Sequence, residues 1–104
     1  MTEISLPQGK NAYQEDISTL AAGTVLVTGP CVVWKMVVSI EVSGVAIVNF
    51  ANDDASYSNA NRVMKVVING PTTIPITFPK GLYLSDGLAA TSNLASVDVA
   101  VFYD

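Results

Sequence analysis

Cys31-Val32-Val33-Trp34-Lys35-Met36-Val37-Val38-Ser39-Ile40-Glu41-Val42 is the stretch that decides the fold. Every second residue from Val32 to Val42 (Val32, Trp34, Met36, Val38, Ile40, Val42) is apolar. That period belongs to a β-strand with one buried face. The opposite face (Cys31, Val33, Lys35, Val37, Ser39, Glu41) should be wet, yet it carries Val33 and Val37. A strand this long exceeds the usual five or six residues, so a bulge or bend is expected within it.

Working outward, Ser43-Gly44 reads as a two-residue hairpin turn into a strand over Val45–Ala51. Upstream, Thr24–Thr28 is a strand ended by Gly29-Pro30. Downstream, Asn52–Asn61 is a polar loop with room for one helical turn, since Asp and Asn cap helices well. Arg62–Asn69 places Met64, Val66 and Ile68 on one face, and Asn69-Gly70-Pro71 reads as a turn. Thr73–Pro79 places Ile74, Ile76 and Phe78 on one face and Pro75 and Pro79 on the other, so this strand belongs at an edge or is irregular, because proline donates nothing to a ladder. Gly81–Ser85 runs to a turn at Asp86-Gly87, Leu88–Thr91 returns from it, and Val97–Tyr103 closes the chain with Val97, Val99, Val101 and Tyr103 inward.

About eight short strands with Gly, Pro, Asn and Asp between them indicate an all-β fold, an antiparallel β-sandwich of about seven to eight strands, jelly-roll or immunoglobulin-like. Residues 1–17 are polar and aperiodic, broken by Pro7 and Gly9, and read as an N-terminal arm; residues 18–104 read as a single domain.

Half of the residues are hydrophobic and only 13% are charged. For one small domain that is greasy, because a chain this short buries only about 60 to 70% of its unfolded surface. A membrane is a poor sink for the excess. The stretch Cys31–Phe50 has a two-residue period and contains Lys35 and Glu41, whereas a spanning helix needs about 20 apolar residues. Met1-Thr2-Glu3-Ile4-Ser5 has neither the basic region nor the apolar core of a secretory signal. With a net charge of −4 and its five basic residues (Lys10, Lys35, Arg62, Lys65, Lys80) scattered along the chain, nucleic acid is not an expected partner.

The residues argue against catalysis. There is no histidine, so the usual general base near neutral pH and the commonest zinc ligand are both missing. Cys31 is the only cysteine, which excludes an internal disulfide and points to synthesis in a reducing compartment; it reads as a small core hydrophobe. Asp53 and Asp54 are adjacent in a loop, and adjacent carboxylates seldom converge on one substrate atom. With Asn52, Asn59 and Asn61 they offer oxygen donors to calcium, although the spacing is not that of a calcium-binding loop. Trp34, Phe50, Phe78 and Tyr103 fall on expected core faces. Of the other four (Tyr13, Tyr57, Tyr83, Phe102), Tyr57, in the polar loop with Asp53 and Asp54, is the best exposed candidate for the aromatic of a glycan-binding loop. No cofactor or metal is expected.

The stronger signal is the apolar excess on the outward faces: Val33, Val37, Val45, Ile47, Val63, Val67 and Phe102. Several such strands in one small sandwich point to surface covered by other protein, hence to a homo-oligomer.

Phe78-Pro79-Lys80-Gly81-Leu82-Tyr83-Leu84-Ser85-Asp86-Gly87-Leu88, followed by Val97–Tyr103 and preceded by Gly23–Pro30, resembles small β-sandwich structural proteins of tailed bacteriophages. In those chains an aromatic-x-x-Gly-hydrophobic corner leads into a short hairpin, and the last strand ends in an aromatic. The resemblance covers residues 23–104 and carries no functional residues across. It implies a virion component without enzymatic activity: a capsid decoration (cement) protein on the outer capsid surface, often a homotrimer, bound to the major capsid protein. The alternative it leaves is a neck, tail or head-fibre part with a glycan-binding loop.

Overall fold

The computed structural model describes residues 9–104; residues 1–8 of the expected arm, including the segment Met1–Ser5 read above for a signal, lie outside the described residues. The fold is all-β and antiparallel. Its strands are β1 (Asn11–Asp16), β2 (Thr24–Thr28), β3 (Cys31–Ala51), β4 (Arg62–Leu84), β5 (Gly87–Ser92) and β6 (Val97–Tyr103), with one 3-10 turn at Asn59–Asn61. Ser58 caps that turn, its hydroxyl accepting from the Ala60 N–H.

Strands β3 and β4 pair along almost their whole length as one ribbon, from Ala51↔Arg62 to Cys31↔Leu84. The ribbon bends in the middle, where Glu41, Val42 and Ser43 stand against Pro71 alone, between the pairs Ile40↔Thr72 and Gly44↔Gly70. This extra length on one strand is a bulge, which curves a sheet locally. Ser43-Gly44 and Asn69-Gly70-Pro71 are therefore corners within continuous strands, not the hairpin turns that the sequence suggests.

The other strands flank the bent ribbon in two groups. β6 pairs with Val33–Ile40 of β3, and β1 pairs with β6. β5 pairs with Val48–Ala51 of β3, and β2 pairs with β5. One layer thus reads β1-β6-β3-β4 across the first half of β3, and the other reads β2-β5-β3-β4 across its second half. Counting the ribbon halves separately gives eight segments in two four-stranded layers, the pairing of a jelly roll. Ser85-Asp86 carries the chain from one layer to the other, since β5 pairs with β2 and β3 and not with β4. The layers curve into a nearly closed, barrel-like sandwich.

Both layers face one core. Val33, Met36, Val38, Val48, Phe50, Leu84, Leu88, Val97, Val99 and Val101 are fully buried there. Each such side chain contributes about 2 kcal/mol of gross transfer free energy. The ladder register slips between Val33 and Lys35. Cys31 and Val33 face inward ahead of the slip, and Met36, Val38 and Ile40 face inward after it. Trp34 and Val32 are accordingly only half-buried, and Val42, at the corner, is exposed. Of the expected arm, Asn11–Asp16 is β1, an ordered edge strand in register with Tyr103–Asp98. Its residues are exposed on both faces apart from Glu15, so backbone pairing rather than side-chain burial holds it.

Candidate interaction surface

The expected ligand loop is stitched to the end of the sandwich by its own polar groups. Asp53 accepts the Ser58 N–H through Oδ2 at 2.9 Å and the Asn61 Nδ2 through Oδ1 at 2.7 Å. Asn52 donates Nδ2 to Ser85 Oγ at 3.0 Å, and its Oδ1 accepts the Asp86 N–H at 2.8 Å. Tyr57 is 8% exposed, packed with Ala51 and Ala89 against Val25. Its hydroxyl donates to Asn59 Oδ1 at 2.6 Å, and its N–H donates to the Ala22 carbonyl at 2.7 Å. Burial pushes the phenol pKa up, with the Asp53 charge adding and Arg62 opposing. The expectation of an exposed Tyr57 is therefore corrected: its ring is a wedge closing the sandwich, with no open face for a sugar. Asp54 alone of the three is exposed.

The seven residues expected at an interface divide into three groups. Val33 is fully buried in the protomer's own core, because the slip before Lys35 turns it inward, and it leaves the surface set. Val37 and Phe102 lie half-buried on the outer face of the β1-β6-β3-β4 layer, opposite Ala100 and Lys35 respectively. Beside them Ala12, Tyr13, Gln14, Ala100 and Phe102 line a shallow depression of about 270 Å³. Val45, Ile47, Val63 and Val67 share the outer face of the other layer, with the Asn49·Lys65 pair between Val63 and the other three. Ile47 pairs directly with Val67, and Val45 is 50%, Val63 45% and Val67 61% exposed.

This apolar stripe borders an open sheet edge. Asn93 Oδ1 accepts the Ile47 N–H and Asn93 Nδ2 donates to the Val45 carbonyl, so these two residues direct their backbone groups away from β4. Antiparallel ladders alternate hydrogen-bonded and non-hydrogen-bonded pairs. Asn69, Val67 and Lys65, which stand opposite Val45, Ile47 and Asn49, therefore turn their own N–H and C=O groups outward. The same alternation continued along β4 turns Pro75 outward, and Pro79 falls in the unpaired stretch between Thr77 and Leu82. The far half of the edge is thus blunted by proline, while Arg62–Gly70 has none. The expectation that this proline-bearing segment lies at an edge or is irregular holds, since among the described residues β4 pairs only with β3.

Sequence reasoning missed a second outward aromatic patch, with Tyr83 exposed and Trp34 half-buried. Tyr83 is 67% exposed and pairs with Val32, and the Trp34 ring lies over Gly81. The register slip hides this in the sequence, because unbroken alternation sends Trp34 into the core. The Trp34 Nε1 instead donates to Asp104 Oδ2 at 2.9 Å.

No group of three or more His, Cys, Asp or Glu converges among the described residues, and no described helix is long and apolar enough to cross a membrane. Cys31 is buried, and desolvation raises its thiol pKa, which keeps it protonated and unreactive. Comparison with family models, curated proteins and solved structures found no match to this chain.

Proposed function

We propose that this chain is a non-enzymatic structural protein of a tailed-phage virion, a decoration (cement) protein that self-associates and stabilises the capsid by binding major capsid subunits. The observation that carries the reading is the outward stripe Val45, Ile47, Val63 and Val67 beside an open β-edge. Val45, Val63 and Val67 are about half exposed and Ile47 is more buried, so covering the four yields on the order of 3 kcal/mol gross. That is too little to hold one copy on a shell against association costs. Copies joined to one another bind the shell together and gain avidity, which favours an oligomer such as the trimer that the resemblance implies. Jelly rolls recur among capsid and lectin domains, an analogy of fold alone. The acidic net charge suits the outer capsid surface, away from DNA phosphates. The glycan-binding alternative loses its support with the burial of Tyr57.

The test is electron microscopy and co-sedimentation of capsids assembled with and without the protein, comparing wild type with the variant I47D/V67D. Regular density on the outer surface, lost in a variant that folds normally by circular dichroism, is the expected result. Failure of wild-type protein to bind any shell overturns the reading.

A further inference from the structure

The charges that look scattered in sequence are sorted by the fold. β4 carries three of the chain's five cations (Arg62, Lys65, Lys80) and no acid, while all nine acids lie elsewhere. Of the two other edge strands, β2 (Thr24–Thr28) carries no charge, and β1 carries Glu15 and Asp16 and no cation. Asp16 also stands directly opposite Asp98 on β6, and like charges in that position repel.

The free edge of β1 has the same form as that of β4. Ile17 donates its N–H to the Val97 carbonyl at 2.7 Å, so by alternation Asn11, Tyr13 and Glu15 face β6. Ala12, Gln14 and Asp16 then turn their backbone donors and acceptors outward. Among the described residues β1 pairs only with β6. Each protomer therefore offers three outward residues on an acidic edge (Ala12, Gln14, Asp16) and three on a basic edge (Lys65, Val67, Asn69). Neither set contains proline, and both sets carry their side chains on the outer face of the sandwich.

We infer that copies of this chain join head to tail, β1 of one pairing antiparallel with the Arg62–Gly70 half of β4 of the next, in the register Asp16·Lys65, Gln14·Val67, Ala12·Asn69. This register opposes unlike charges directly, the favourable cross-strand arrangement. It seats Val67 beside the partner's depression between Ala12 and Phe102. Pairing β4 with a second β4 instead brings both copies' Lys65 into one ladder with no acid on either strand to offset them. Strand addition of this kind takes its affinity from main-chain hydrogen bonds and its register from side chains. A heterologous contact leaves one edge of each kind free at the ends of any open assembly, so it closes into a ring or extends. The inference deepens the self-association in the reading above, and rests on it only there; shell binding is a separate property.

The test is sedimentation velocity of the full chain over a concentration series, with K65E, D16K and the double charge swap D16K/K65E. Both positions are exposed, so the variants should fold, which circular dichroism checks. Wild type should assemble beyond a dimer. Each single reversal should weaken assembly by about tenfold, and the double swap should restore it. A wild type that stays monomeric, a K65E protein that assembles normally, or a double swap that remains as weak as the single variants overturns the pairing. A monomer that still decorates capsids overturns the pairing and the self-association of the reading above while leaving its shell binding standing; an assembling protein that ignores capsids overturns the shell binding while leaving the pairing standing.

Discussion

The side-chain oxygen of Asn93 accepts the backbone N–H of Ile47 at 2.6 Å. The same carboxamide donates to the Val45 carbonyl at 3.0 Å, and the Asn93 N–H reaches the Ile47 carbonyl at 3.3 Å. β5 pairs with β3 only as far as Val48, so one side chain continues the ladder past the point where the strand has ended. An orphaned backbone group costs as much as a lost hydrogen bond.

Replacing Asn93 by Ala should therefore destabilise the fold by about 1–2 kcal/mol, read as a lower urea midpoint, with faster hydrogen exchange at the Ile47 amide. Asn93→Asp keeps the acceptor and should preserve the protection of Ile47 better than Ala. Unchanged exchange in N93A would exclude the strand-extending role.

Gly23 and Gly29 share a positive φ (+65° and +88°) but differ in the space around them. A methyl group at Gly29 meets nothing within 4 Å. At Gly23 it overlaps the Ala90 carbonyl and presses on the Tyr57 Cβ. Gly29→Ala should cost only the left-handed conformation, about 1 kcal/mol, and Gly23→Ala should cost about 3 kcal/mol or more. Equal melting temperatures for the two variants would count against the packing of Tyr57 onto this turn.

Asp104 accepts the Lys10 N–H and the Trp34 indole N–H, and these bonds hold its carboxyl below the ordinary 3.8. The folded state thus prefers the ionised form. Its contribution is complete above pH 3.8 and is lost as the pH falls through that value towards the lower folded one. Trp34 is the only tryptophan, so its fluorescence should titrate with an apparent pKa below 3.8, and D104N should abolish that step.

Cys31 is buried with its thiol pKa raised by desolvation. An aromatic disulfide reagent at pH 8 should leave the native protein unmodified over minutes and label one thiol per chain in denaturant. Fast labelling of native protein would contradict the inward turn of Cys31 and Val33.

The valine-rich strands were legible because their alternation survives in the fold. β2 and β6 span Thr24–Thr28 and Val97–Tyr103 as expected, and Met36, Val38 and Ile40 face inward as read. The reading failed where pairing departed from simple alternation. One slipped residue before Lys35 reverses the faces of Val33 and Trp34. β1 left no periodic signal, since an edge strand solvated on both faces has no reason to alternate. Corners and hairpins draw on the same Gly, Pro, Ser and Asn, so Ser43-Gly44 and Gly70-Pro71 could not be told from reversals. Tyr57 sits among polar neighbours in sequence, and only the fold sets Ala51 and Ala89 beneath its ring. At the surface, four of the seven expected apolar positions share one outer face, while the open edge and its charge became visible only once β4 was placed.

The bent β3–β4 ribbon has a mechanical consequence. Because the same two strands run unbroken through both layers, neither layer can peel away while the other stays whole. Tension along the ribbon loads its rungs in shear, many at once, rather than unzipping them singly. A protein fastened to an expanding container would carry the strain in that strap, and its two faces would yield together.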